Sequence, residues 1–130
     1  MTIKTDLLII GAGPFGLALA AYANHLGISH VIAGRPMEFW KNNMPEGMYL
    51  RSMSDWSLDP TEKASIMNYL GILKKTPADV EPLSRDFYLE YCQWFQDQAR
   101  IRSLPLYVSH LKKEDDHLHA TFENGDGIEA

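Results

Sequence analysis

Residues 6–17 read Asp6-Leu7-Leu8-Ile9-Ile10-Gly11-Ala12-Gly13-Pro14-Phe15-Gly16-Leu17, and the change of pattern at Gly11 decides the fold. Leu7, Leu8, Ile9 and Ile10 form a continuous apolar run like those buried on both faces of a parallel sheet, so residues 3–10 are read as strand one. A helix is predicted from about Pro14, whose fixed φ and missing N–H suit a first helical turn. Leu17, Ala18, Ala21 and Ala23 let that helix lie close on a sheet, and Gly27 supplies its stop. Residues 28–33 read as strand two. Strand, glycine turn, helix and strand fit within the roughly 30 residues of a βαβ unit, whose crossover is expected to be right-handed.

Further along, residues 34–58 lose any period and carry many large side chains, among them Met37, Phe39, Trp40, Met44, Met48, Tyr49, Met53 and Trp56. They read as a loop-rich segment with much to bury. Asp59-Pro60-Thr61-Glu62 has the form of a capping box, predicting a helix to about Leu70 closed by Gly71. Ser84 caps a second predicted helix over residues 85–99, in which Phe87, Tyr88, Tyr91, Trp94 and Phe95 recur at helical spacing and point to the core. Residues 106–111 and 118–122 alternate as strands, and the turns at Asn124-Gly125 and Asp126-Gly127 lead to a short third strand at Ile128. The predicted fold class is therefore α/β: a Rossmann-like βαβ unit with a helical insertion and a C-terminal β-meander, in one domain over residues 1–130.

Composition excludes several functions. The 130 residues hold 12 basic and 17 acidic side chains, a net charge of −5, with no run of Lys or Arg to grip nucleic acid or an anionic membrane by counterion release. With 45% apolar and 22% charged residues the chain is neither disordered nor of low complexity. The single cysteine, Cys92, can form no internal disulfide, which makes a reducing cytoplasm the default location. The uncharged stretch at residues 7–23 could be mistaken for a signal peptide, but Asp6 precedes it and Gly11, Gly13, Pro14 and Gly16 interrupt it.

Gly11-Ala12-Gly13-Pro14-Phe15-Gly16 is a G-x-G-x-x-G directly after a predicted strand and opening a helix, the context in which this motif binds a dinucleotide. Gly11 allows the tight turn, Gly13 lets backbone approach a pyrophosphate, and Gly16 permits helix against strand. The competing reading is a glycine turn that merely packs a helix. An acid that would hold the adenosine ribose is expected about 20 residues on. Here the strand ends Ala33-Gly34-Arg35-Pro36, and the next acid is Glu38. Arg35 fits either a 2′-phosphate, which would mean NADP, or a solvated surface position. His117 and His119 share a face of a predicted strand without a third ligand, and His25 suits the dipole at a helix C-terminus. Cys92 reads as an inert core thiol. With no nucleophile triad or acid pair in view, the chemistry belongs to a cofactor.

These residues resemble the N-terminal part of FAD-dependent monooxygenases, the group with flavin-containing, Baeyer–Villiger and N-hydroxylating enzymes. The resemblance rests on the glycine segment, then Phe39-Trp40, Leu50-Arg51-Ser52, the run Phe87-Tyr88-Leu89-Glu90-Tyr91-Cys92-Gln93-Trp94-Phe95, a strand around Val108 and the turn Glu123-Asn124-Gly125-Asp126-Gly127. It implies that Gly11, Gly13, Pro14, Phe15 and Gly16 surround an FAD pyrophosphate, that Trp40, Arg51 and Ser52 lie along the ribityl or flavin end, and that Val108 offers its backbone to the adenine. From the residues alone, Trp40 and the nearby methionines serve equally as packing.

The resemblance further implies a parent FAD-dependent, NAD(P)H-using oxidoreductase acting on a small molecule. No second glycine motif for a pyridine nucleotide occurs here, so the 130 residues are expected to be a part of such an enzyme or a stand-alone half, inactive by themselves. An exposed edge on strand one would then favour self-association or pairing with a missing domain. The alternative is a non-catalytic Rossmann-type module that binds NADP through Arg35 or serves as an interaction domain.

Overall fold

The computed structural model describes residues 2–130. Eleven elements follow one another: β1 (Thr2–Lys4), β2 (Leu7–Ile10), α1 (Pro14–Leu26), β3 (His30–Ala33), α2 (Glu38–Asn43), α3 (Ile66–Leu73), α4 (Pro77–Val80), α5 (Arg85–Gln98), β4 (Val108–Lys113), β5 (Leu118–Phe122) and β6 (Gly127–Glu129).

β2 and β3 pair in parallel, with Leu8 opposite Val31 and Ile9 opposite Ile32, and α1 crosses between them. Leu104 continues this layer beyond β3: its N–H donates to Ile32 O at 2.8 Å, and its carbonyl accepts Gly34 N–H at 2.9 Å. The period of two along a strand then assigns each side chain a face. Leu7, Ile9 and Ile32 pack toward α1, α3 and α5, in a core with Leu17, Ala20, Ile66, Leu70, Tyr91 and Phe95. Leu8, Val31 and Ala33 point the opposite way, onto Ala120, Phe122 and Ile128 of a second sheet. That sheet has strand order β1-β6-β5-β4, with β1 parallel to β6 and the other pairs antiparallel. The parallel strands thus lie between a helical layer and a mostly antiparallel sheet, which is why they are apolar on both faces.

Several expectations are corrected. Residues 3–10 are two strands rather than one. The chain leaves the second sheet at Thr5, whose N–H donates to Glu129 O at 2.9 Å, and joins β3 from Leu7, so the exposed Thr2–Lys4 and the apolar Leu7–Ile10 serve different sheets. Strand two starts at His30, two residues later than expected, and the first meander strand runs over Val108–Lys113.

No helix starts at the Asp59 box. The Asp59 carboxylate accepts Thr61 N–H at 2.8 Å and Ala64 N–H at 2.6 Å, closing a turn on itself, and Glu62 takes φ 58, which a continuing helix excludes. The helix begins instead at Ile66, where Ser65 and Asn68 cap each other, and it runs through Gly71 to Leu73 before Lys74 turns left-handed. The short helices α2 and α4 lie where only loop was expected.

The aromatic stripe of α5 is core as predicted, with Tyr88, Tyr91 and Phe95 buried and Phe87 and Trp94 packed at its margin. Cys92 is fully buried beside them, and burial pushes its thiol up to about 12. Much of the large-residue load before it stays outside, however. Phe39, Tyr49, Met53 and Trp56 are exposed, and only Met37 is fully buried. Among the described residues no helix is long and apolar enough to cross a membrane.

Candidate dinucleotide site

The glycine turn joins β2 to α1 at the end of the parallel pair. Gly11 N–H donates to Ala33 O at 2.8 Å, fastening the start of the turn to the end of β3. Gly11 has φ 110, a conformation that excludes a side chain, and Gly16 lies so close beneath it that a Cβ there would stand 1.9 Å from Gly11 O. This contact sets how near α1 can come to the strand. Gly13 differs: its φ is −82, and a Cβ built on it meets nothing within 4 Å. The protein's own atoms therefore place no demand for glycine at position 13.

Gly13 is also the N-cap of α1, without a side-chain cap, and Pro14 has no N–H to satisfy. The first helical bond runs from Leu17 N–H to Gly13 O at 2.9 Å, which leaves the Phe15 and Gly16 N–H groups without intrahelical acceptors. They face outward with the positive end of the helix dipole. This geometry holds an anion, and with no side chain at Gly13 the anion can come close to backbone. A pyrophosphate fits that cradle.

The opposite wall is the end of β3. Gly34 has φ 134, and a Cβ there would lie 3.1 Å from Ala12 N, so a side chain at the strand end would be strained and crowded. Met37 N–H donates to Ala12 O at 2.9 Å, and Met37 is buried with φ 56, which brings Glu38 beside the turn as the first residue of α2. Arg35 does not project free into solvent. Its Nη2 donates to Glu123 Oε1 at 3.0 Å, its Nε lies 3.7 Å from Glu38 Oε2, and its guanidinium carbon sits 4.6 Å from the Tyr107 ring centroid. The Tyr107 phenol is pushed above its ordinary range, first by loss of solvent and then by its hydrogen bond to the Glu38 carboxylate.

Gly11, Gly13, Pro14, Phe15, Gly16 and Arg35 are thus brought to one end of the parallel strands. Val108 opens β4 and packs in the same cluster as Ala33 and Leu104. Trp40 is half-buried on the helical core, its ring 5.1 Å from that of Tyr88, so packing is a role it visibly has. Arg51 is exposed and Ser52 half-buried, in a loop whose neighbour Leu50 donates to Leu83 O at 2.7 Å.

His117 lies one residue before β5 and pairs with Asp116 at 2.7 Å, while His119, within β5, lies against Gly127. Among the described residues no three His, Cys, Asp or Glu side chains converge on a metal position. Glu38, Tyr107 and Glu123 went unnoticed as site residues because their convergence depends on chain segments up to 88 residues apart.

No family model and no curated protein matches the chain. Solved structures do. A bacillithiol disulfide reductase from Staphylococcus aureus superposes with a TM-score of 0.73 at 26% identity, covering 98% of this chain and 36% of that one. A flavin-containing monooxygenase from Stenotrophomonas maltophilia gives 0.76 at 22%, with the same coverage. A lysine monooxygenase from Nocardia farcinica gives 0.69 at 19%, covering 95% of this chain and 51% of that one. The chain spans about a third of the length of the first two. The chain is thus similar in fold to a part of each of these oxidoreductases.

Proposed function

We propose that residues 1–130 form a single FAD-binding domain of Rossmann type, with α2 to α5 as a helical insertion and β4 to β6 as a β-meander, and that it serves an NAD(P)H-using oxidoreductase or monooxygenase of the cytoplasm. The observation that carries this reading is Gly13. Gly11, Gly16 and Gly34 answer to φ or to contacts within the protein, whereas Gly13 answers to neither and stands open at a helix start. An external anion accounts for it. Similarity to flavin monooxygenases across 98% of the chain supports FAD among dinucleotides.

In this reading Gly11 to Gly16 bind the pyrophosphate through backbone N–H groups and the α1 dipole. Trp40, Arg51 and Ser52 lie toward the ribityl or flavin end, and Val108 toward the adenine. Bound FAD supplies redox chemistry that no side chain here offers, including reduction by a nicotinamide and reaction with oxygen. The small-molecule substrate and the nicotinamide site lie outside these residues, so the isolated chain binds cofactor without turning over.

The test is a fluorescence titration of the purified polypeptide with FAD, in parallel with Gly13→Val. The expected result is saturable quenching by the parent, lost in the variant while its melting temperature is retained. Equal binding by both proteins, or none by the parent, refutes the site.

A further inference from the structure

We propose that Glu38 is the carboxylate that reads the adenosine ribose, and that the cluster of Arg35, Glu38, Tyr107 and Glu123 makes this site reject a 2′-phosphate. The inference rests on the FAD reading of the glycine turn and extends it to the other end of the ligand.

The starting observation is steric. A ribose-binding acid normally stands at the end of the second parallel strand, about 20 residues past the glycine motif. Here that place is Gly34, where φ 134 strains any side chain and a Cβ would crowd the Ala12 backbone at 3.1 Å. The acid is therefore displaced rather than lost. The chain makes a left-handed turn at Met37, ties Met37 N–H to Ala12 O, and presents Glu38 one residue later, still beside the glycine turn.

Charge gives the second part. Arg35 would be the natural ligand for a 2′-phosphate, yet it lies between two carboxylates, bonded to Glu123 at 3.0 Å and 3.7 Å from Glu38. It also rests on the Tyr107 ring, whose backbone N–H shares Glu123 Oε1 at 3.4 Å. One guanidinium between two carboxylates leaves the cluster at −1, a field that repels a phosphate dianion and suits hydroxyl donors. Glu38 is about one-third exposed and keeps acceptor capacity beyond its long contact to Arg35 and its bond from the Tyr107 phenol. Arg35 and Tyr107 hold it in place.

Calorimetry with FAD, ADP-ribose and 2′-phospho-ADP-ribose on the parent, Glu38→Gln, Arg35→Met and Glu123→Gln tests this. The parent is expected to bind ADP-ribose at least about tenfold more tightly than its 2′-phosphate. Glu38→Gln should lose about tenfold for ADP-ribose and FAD. Arg35→Met, which keeps the acid, should retain the preference for the unphosphorylated ribose, and Glu123→Gln, which frees Arg35, should narrow it. If FAD binds the parent and Glu38→Gln equally, the role of Glu38 is refuted while the FAD reading stands. Tighter binding of the 2′-phosphate by the parent overturns the cluster's role in the same way. A parent that binds neither FAD nor ADP-ribose overturns both readings. Unchanged melting of the variants shows that each loss is one of recognition.

Discussion

Gly16→Ala and Gly13→Ala place the same methyl group three residues apart and are expected to do opposite things. At Gly16 the new Cβ would lie 1.9 Å from Gly11 O and 3.0 Å from Gly11 C, both backbone atoms that cannot rotate away. A relaxed carbon–oxygen contact is about 3.3 Å, so the start of α1 must retreat from β2 by roughly 1.4 Å on that scale. Leu17, Ala20 and Ile9, all buried in one cluster, would separate with it. Overpacking usually costs about 1–3 kcal/mol, and an obstacle of rigid backbone belongs at the upper end. At a chain of this size that corresponds to a melting temperature lower by about 10 °C.

At Gly13, φ −82 suits any residue and nothing lies within 4 Å. A poorer N-cap costs up to about 1 kcal/mol, and the stiffer unfolded chain returns about 0.4–1 kcal/mol, so stability should barely change. Thermal melts by circular dichroism, paired with FAD titration, separate the two: Gly16→Ala loses stability, Gly13→Ala loses affinity. A Gly16→Ala protein melting within about 3 °C of the parent, equivalent to less than about 1 kcal/mol, would refute the claim that this glycine sets the distance between helix and strand.

Other consequences follow from buried groups and exposed faces. Asp59→Ala removes the acceptor of Thr61 and Ala64 N–H and is expected to cost about 1–3 kcal/mol in denaturant unfolding. Burial would raise this carboxyl, but the bonds from Thr61 and Ala64 outweigh it and hold it below 3.8. Its stabilisation is therefore present above that pH and lost as pH falls through the lowered value, a loss the variant should not show. The Cys92 thiol, pushed up to about 12 inside the core, should resist a thiol reagent at pH 8 in the native protein and react at once in denaturant. On α1, Phe15, Leu19, Tyr22 and Leu26 form an exposed stripe at three- and four-residue spacing, and β2 pairs on one side only. Self-association should rise with concentration in light scattering and fall in Leu19→Glu; a strict monomer at all concentrations contradicts this expectation.

The βαβ unit was legible because its signals agree. An apolar run, a glycine turn, a proline at the first helical position and Gly27 at φ 71 all mark the same boundaries. Less legible was the partner of each strand. Nothing in residues 3–10 names the partner strand: β1 is exposed, β2 is partly buried, and the choice of β6 or β3 rests on segments 23 and more residues away. The Asp59 box failed for a local reason: an aspartate can close a turn with the same N–H groups it would offer a helix start, and Glu62 settles the competition by turning left-handed. At the site, the glycines were readable and the acid was not. Glu38 lies past the strand end where the acid is expected, and its significance depends on a side chain at Gly34 being strained and on Tyr107 and Glu123 arriving from the chain around β4 and β5.

These two halves of the site have opposite polarity, and that contrast narrows what can bind. The glycine turn ends in outward N–H groups and the positive pole of a 13-residue helix, which favour a multiply charged anion close to backbone. The end of β3 presents one guanidinium locked between two carboxylates, which favours neutral hydroxyl groups and disfavours further negative charge. A free phosphate or sulfate satisfies only the first half and gains nothing from Glu38. A 2′-phosphorylated nucleotide satisfies the first half and is opposed by the second. A dinucleotide with its pyrophosphate in the middle and an unmodified ribose beyond satisfies both, and FAD and NAD share that adenosine diphosphate half. What separates them is the group past the pyrophosphate: a flat three-ring flavin presents more apolar surface than a nicotinamide does, and exposed Phe39, Met53 and Trp56 in the segment that follows β3 are apolar surface still uncovered.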